Sequence, residues 1–134
     1  MLRNFTMSFD NFRIVKLAFV ANEGFKVKKL AQINTQISLA RKYNKRKKVL
    51  AIRLKIASTE GILPFFFEVE GEGKFTFRGT PNEEAIKNFS AINCPAIILP
   101  YIRETIADMT RRAGYPPLHL APINFLKLAE KSKK

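Results

Sequence analysis

The sequence predicts an α+β domain: a four-stranded antiparallel sheet followed by a long kinked helix and a short C-terminal helix. Three observations carry that expectation. Apolar residues alternate with polar ones through the first half of the chain, the period of strands. The second half changes to a helical period, with capping residues near the points of change. The 134 residues fit one domain, and no internal repeat divides them.

Phe12–Val20 is apolar on both faces and suits a covered or paired edge strand. Ile33, Ile37 and Leu39 mark a second, looser strand. From Val49 to Ala57, Leu50, Ile52, Leu54 and Ile56 alternate with Ala51, Arg53 and Lys55, so one face of this strand is covered. Between these two lies the basic run Arg41–Lys48, with Asn44 suited to a hairpin turn. Leu63–Arg78 reads as a long fourth strand. Phe65, Phe67 and Val69 face one side of it, Phe66, Glu68 and Glu70 the other, and Gly71-Glu72-Gly73 predicts a bulge or tight turn.

Thr80-Pro81-Asn82-Glu83 predicts a helix start, with Thr80 as N-cap, Pro81 first in the helix and a run to about Phe89. A longer helix is expected from about Pro95 to Arg112. Its apolar stripe is Ile98, Ile102, Ile106 and Met109, opposed by Arg103, Glu104, Asp108 and Arg111. Pro100 lacks a backbone donor and is expected to kink this helix, and Gly114 to end it. Asn124 can cap a short amphipathic helix from Phe125 to about Lys131.

Twelve Phe and no Trp are more aromatic bulk than one small core needs, which predicts a subunit interface or a client groove for the surplus. The net charge of +13 attracts anions, so nucleic acid, anionic membrane and acidic polypeptide are candidate partners. A single cysteine excludes an internal disulfide framework and agrees with a reducing compartment. The N-terminus builds no apolar run of signal-peptide length, and no apolar stretch approaches a membrane span. The expectation is a cytoplasmic protein with no membrane insertion.

Catalytic chemistry finds little support. His119 is the only histidine, and one His with one Cys gives no metal-ligand spacing. Cys94 stands at a helix start, but no general base is apparent near it in sequence, and buried packing is its expected role. Gly71–Phe75 lacks the spacing of a phosphate loop. The expected protein is therefore not an enzyme, with no catalytic residues, metal or cofactor. Arg41–Lys48 holds six cations in eight residues, which suits a solvated hairpin tip or a clamp on a nucleic-acid backbone. Only Tyr43 among them offers a ring for stacking.

Asn93-Cys94-Pro95-Ala96-Ile97-Ile98-Leu99-Pro100-Tyr101-Ile102-Arg103-Glu104 resembles the "CPxxLFPYARE" signature of SecB, the bacterial protein-export chaperones. Gly114–Phe125 is similar to that family's "GFPxLNLAPVNF", and Phe66–Phe75 resembles its strand pattern "CEVxxxGxF". The resemblance is specific over about residues 62–126 and only architectural before them. It implies an ATP-independent chaperone that holds unfolded or nascent polypeptide clients in apolar grooves. It also implies a homotetramer, a dimer of dimers whose long helices pack between sheets, with Ile98, Ile102, Ile106 and Met109 at the interface. The groove would draw on Phe25, Val27 and Leu30 from the first crossover loop, with Tyr101, Phe125, Leu126 and Leu128 opposite.

The family's acidic sheet face meets the export motor ATPase. The matching positions here are Lys16, Val20, Phe66 and Glu68, so two acids of the first strand are replaced. The chain ends Lys131-Ser132-Lys133-Lys134 where an acidic tail is usual, and the crossover loop lacks its customary Trp. A Lys where a partner expects Asp inverts the local field. These departures point to a dedicated client, such as the antitoxin of a toxin–antitoxin–chaperone system, or to export with a co-adapted motor. The alternative function is a basic nucleic-acid-binding protein on the same scaffold.

Overall fold

The computed structural model describes residues 5–25, 33–59, 61 and 63–132. Strands β1 (Phe5–Ala21), β2 (Thr35–Asn44), β3 (Val49–Ser58) and β4 (Phe65–Gly79) form one antiparallel sheet in the order β1-β4-β3-β2. Helix α1 (Glu83–Asn88), a π-helical turn (Phe89–Asn93) and α2 (Cys94–Arg112) then follow without a gap, and α3 (Phe125–Ser132) closes the described chain. The alternation read from β3 holds: Leu50, Ile52, Leu54 and Ile56 are fully buried. With Phe65, Phe67, Val69, Phe75 and Phe77 of β4 they meet Ile98, Leu99, Ile102 and Ile106 of α2 in one core.

Strand β1 begins earlier than its apolar run suggests. Its register on β4 shifts between Phe9 and Asn11 and again between Ile14 and Lys16. Each irregularity turns the following side chains to the other face, so the strand shows no single alternation. The irregularities fall on β1 and not on β4, which runs unbroken through Gly71-Glu72-Gly73. The expected bulge or turn at those glycines is replaced by close packing. A Cβ at Gly71 would stand 2.4 Å from the Phe12 ring, and one at Gly73 would stand 2.6 Å from Ile98 Cγ2.

The hairpin between β2 and β3 turns as the asparagine predicts, with Asn44 Oδ1 accepting the Lys47 N–H at 3.0 Å. The first helix starts later than predicted. Asn82, not Thr80, is its N-cap and accepts the Ala85 N–H at 2.7 Å. The π turn joins α1 to α2 where a break was expected, and α2 continues through Pro100. Gly114 does end it, at φ 93°, with its N–H donating to Arg111 O at 3.0 Å.

The phenylalanines are not surplus to this core. Phe66 alone of the twelve is exposed. Phe5 packs edge-on to Phe77 and Phe89, Phe9 stacks on Phe75, and Phe19 stacks on Phe65. The apolar groups left outside are mostly aliphatic: Ile14, Leu17, Val20, Leu39, Ile97, Leu126 and Leu128, together with Tyr101 and Phe66.

Candidate functional site

Helix α3 lies along the β2 edge of the domain, against the π turn. Asn124 Oδ1 starts it by accepting the Lys127 N–H at 3.1 Å. Phe125 then enters the core, 3% exposed, and anchors the helix. One turn on, Leu128 and Ala129 face Ile37 and Leu39 of β2 across a groove of about 470 Å³. Ser90 and Ala91 of the π turn line it with small side chains, and Lys87 and Arg41 add charge. Ser90 Oγ donates to Ile86 O at 2.6 Å, so its hydroxyl is satisfied inside the turn. On the far flank of α3, Leu126 joins Lys87, Asn88, Ala91 and Ile92 around a second hollow. Leu126 is 52% exposed and Leu128 40%, on a helix whose anchor is buried.

The expected groove residues therefore divide. Leu128 lines the open trough and Leu126 the hollow on the far flank of α3, whereas Phe125 is core. Tyr101 is exposed but sits at the opposite edge of the sheet, stacked on Phe12 of β1 at 5.0 Å and near Phe9. Phe25 is half-buried just after β1, its N–H bonded to Asn22 O, and is not among the residues lining the α3 trough. Val27 and Leu30 lie outside the described residues. Ile37, Leu39 and Ala91 were missed. Leu39 carried a signal, since with Ile37 it continues the apolar side of an edge strand and asks for a cover.

The expected oligomer stripe is corrected as well. Ile98, Ile102 and Ile106 are fully buried against the chain's own sheet, and Met109 is half-buried on the same core. A helix beside a bare sheet face must cover it first, so this stripe is spent inside the subunit. The exposed apolar residues of α2 are Ile97 and Tyr101. Edge strand β1 adds Ile14, Leu17 and Val20, the last two 57% and 62% exposed.

Lys16, Val20, Phe66 and Glu68 do come together on the outer face of β1 and β4. Val20 stands opposite Phe66, and Lys16 Nζ lies 2.5 Å from Glu68 Oε2. The hydrogen bond from Lys16 holds the Glu68 carboxyl below its ordinary value, and the same bond raises Lys16. Next along the face, Glu72 is 7% exposed between two guanidinium groups. Arg13 Nε donates to it at 3.2 Å and Arg53 Nε at 2.9 Å. Burial alone would raise this carboxyl, but the bonds from Arg53 and Arg13 outweigh it and leave the pKa lowered. Glu68 and Glu72 of this face are thus paired with flanking cations.

Other candidates fit structural roles. Burial pushes the Cys94 thiol up to about 12, so it stays protonated, and its nearest polar contact is Met7 Sδ at 3.7 Å. Tyr43 packs edge-on to Phe77 at 6.0 Å, which withdraws the one ring of the basic hairpin from stacking on a base. No group of metal-binding side chains occurs among the described residues, and no described helix is long and apolar enough to cross a membrane.

Residues 8–134 match the family described as preprotein translocase subunit SecB. The protein-export protein SecB of Ruegeria pomeroyi is 34% identical over 127 residues, covering 91% of this chain and 72% of that protein. That of Burkholderia vietnamiensis is 42% identical over 74 residues, 55% of this chain but only 46% of the relative's length. Among solved structures, a SecB-like chaperone of Mycobacterium tuberculosis, in complex with a ChAD peptide from the HigA1 antitoxin, has a TM-score of 0.73 at 18% identity. The match covers 87% of this chain and 90% of that one. A protein of unknown function from Streptococcus agalactiae reaches a TM-score of 0.52 at 12% identity, covering 88% and 98%. A four-stranded sheet with α2 across one face and α3 at its edge is the SecB-like fold. The chain belongs to the SecB family of protein-export chaperones, a family of binding proteins and not of enzymes.

Proposed function

We propose that this protein is an ATP-independent holdase that covers apolar segments of unfolded or nascent polypeptides in the trough between β2 and α3. The observation that carries the reading is a helix anchored by buried Phe125 while Leu128 stays open beside Leu39 and Leu126 stays open on the far flank. Such a trough binds by area, which is non-directional and tolerates many sequences. Ser90 and Ala91 leave room for client side chains, and nothing in this arrangement calls for a cofactor.

The working form is a homotetramer, a dimer of dimers, in the cytoplasm. Edge strand β1 supports the assembly, with Leu17 open on the helix side of the sheet and Val20 on the outer side. A second β1 continues the sheet there and covers both residues. Ile97 and Tyr101 of α2 offer apolar contact to the other dimer.

Clients are exported chains or a dedicated aggregation-prone protein such as an antitoxin, with the second favoured by the Lys16–Glu68 pair. That pair removes net negative charge from the face where the family meets its motor ATPase. The test dilutes a denatured client into buffer with one tetramer per client and no nucleotide, and follows light scattering. Suppressed scattering is expected. Unchanged aggregation in the presence of folded protein rejects the reading, and motor binding in a parallel pull-down sends the client assignment back to export.

A further inference from the structure

A further hollow of about 670 Å³ lies on the outer face of the sheet, on the side away from α2. Arg13, Arg41, Lys42, Lys47, Arg53 and Lys74 line it, against only Asp10 and Glu72. All six cations are exposed. Glu72 is the nearly buried carboxylate that holds Arg13 and Arg53 from the two neighbouring strands. Each guanidinium has five N–H donors, and Glu72 takes one from Arg13 and one from Arg53. Both cations are therefore fixed in place with donors to spare, the condition for forked recognition of a further carboxylate.

This hollow and the apolar trough lie on opposite faces of the sheet and meet at its β2 edge. Ala40 and Arg41, at the β2 edge, line both. The cations stand in rows along the strands. Arg13 and Arg53 flank Glu72, and Lys74 follows two residues on, between Asn11 and Ala51. Rows two residues apart are spaced about 6.6–6.8 Å, the repeat of alternate side chains in an extended peptide. We infer that the basic hollow is the second half of the client site, and that it takes an acidic stretch of polypeptide adjoining the apolar stretch held at α3. The inference rests on the holdase reading and adds a class of client: chains in which an apolar segment is followed or preceded by a run of Asp and Glu. Polypeptide is favoured over nucleic acid for two reasons. An apolar trough borders the hollow across the β2 edge, and no aromatic ring lines the hollow for a base to stack upon.

Two peptides test this, sharing one apolar segment and differing in a flanking run of Glu or of Ser. Fluorescence anisotropy measures their binding to the intact protein at low and high salt. Exposed ion pairs contribute little singly, so a run of them predicts about a tenfold advantage for the Glu peptide at low salt, shrinking as salt screens it. The triple variant Lys42→Ser, Lys47→Ser, Lys74→Ser, which alters only exposed side chains, should lose most of that advantage and bind the Ser peptide as before. Equal affinity of the native protein for both peptides overturns the inference while leaving the holdase reading intact. So does an advantage that the triple variant keeps. Failure to bind either peptide removes both readings. A single-stranded oligonucleotide that displaces the Glu peptide and binds more tightly assigns the hollow to nucleic acid and overturns the inference too.

Discussion

Gly73 and Ile98 approach so closely that no side chain larger than hydrogen fits between them. Ile98 is fully buried, and its Cγ2 is too near the backbone to swing aside. Gly73→Ala should therefore destabilise the domain by about 1–3 kcal/mol, the cost of overpacking. At Gly71 the obstacle is the far end of half-buried Phe12, a ring free to move outward. Gly71→Ala should cost less, and urea unfolding of the two variants gives the order. Glu72 makes a second residue-scale prediction. Its folded pKa lies below the ordinary carboxylate value of about 4.3, so its stabilisation is fully present above that pH. That contribution is lost as pH falls through the lower folded value. Glu72→Gln should lose about 1–2 kcal/mol at neutral pH. The difference from the native protein should close in acid, where Glu68 and Asp108 titrate in both and cancel.

Within α3, burial and exposure alternate along one short element, which separates folding from binding. Phe125→Ala should cost about 3–5 kcal/mol because it empties a core position. Leu126→Glu and Leu128→Glu change open positions and should shift stability by no more than about 0.5 kcal/mol while weakening client binding. Thermal unfolding beside peptide anisotropy distinguishes the two. The elements themselves were mostly legible before any coordinates. β3 alternates from Val49 to Ala57, because one of its faces is wholly covered there and the other is not. Gly114 and Asn124 act locally, through a backbone sign and a side-chain oxygen, and so were readable too. β1 was half legible, since its two irregularities reset the alternation in mid-strand. The π turn had no signal, because its residues Phe89–Asn93 fit an α-helix equally well.

At the scale of the whole molecule, the proposed tetramer depends on the unpaired side of β1. Leu17→Lys introduces a charge into that edge, and sedimentation should then report species smaller than those of the native protein. The site was less legible than the fold. Stripe residues Ile98, Ile102 and Ile106 look the same in sequence whether they cover their own sheet or another subunit's. Tyr101 and Leu128 look alike as apolar residues on helices, and only topology sends them to opposite edges. The quartet Lys16, Val20, Phe66 and Glu68 came from the family resemblance, and the β1–β4 ladder sets its members on one face. The glycine notch under Ile98 has a consequence at this scale. It works as a detent: α2 cannot creep along β4 by a residue without climbing out of its seat. Ser90 and Ala91, which run directly into α2, inherit that indexing, so one wall of the trough beside α3 is referenced to a glycine's hydrogen.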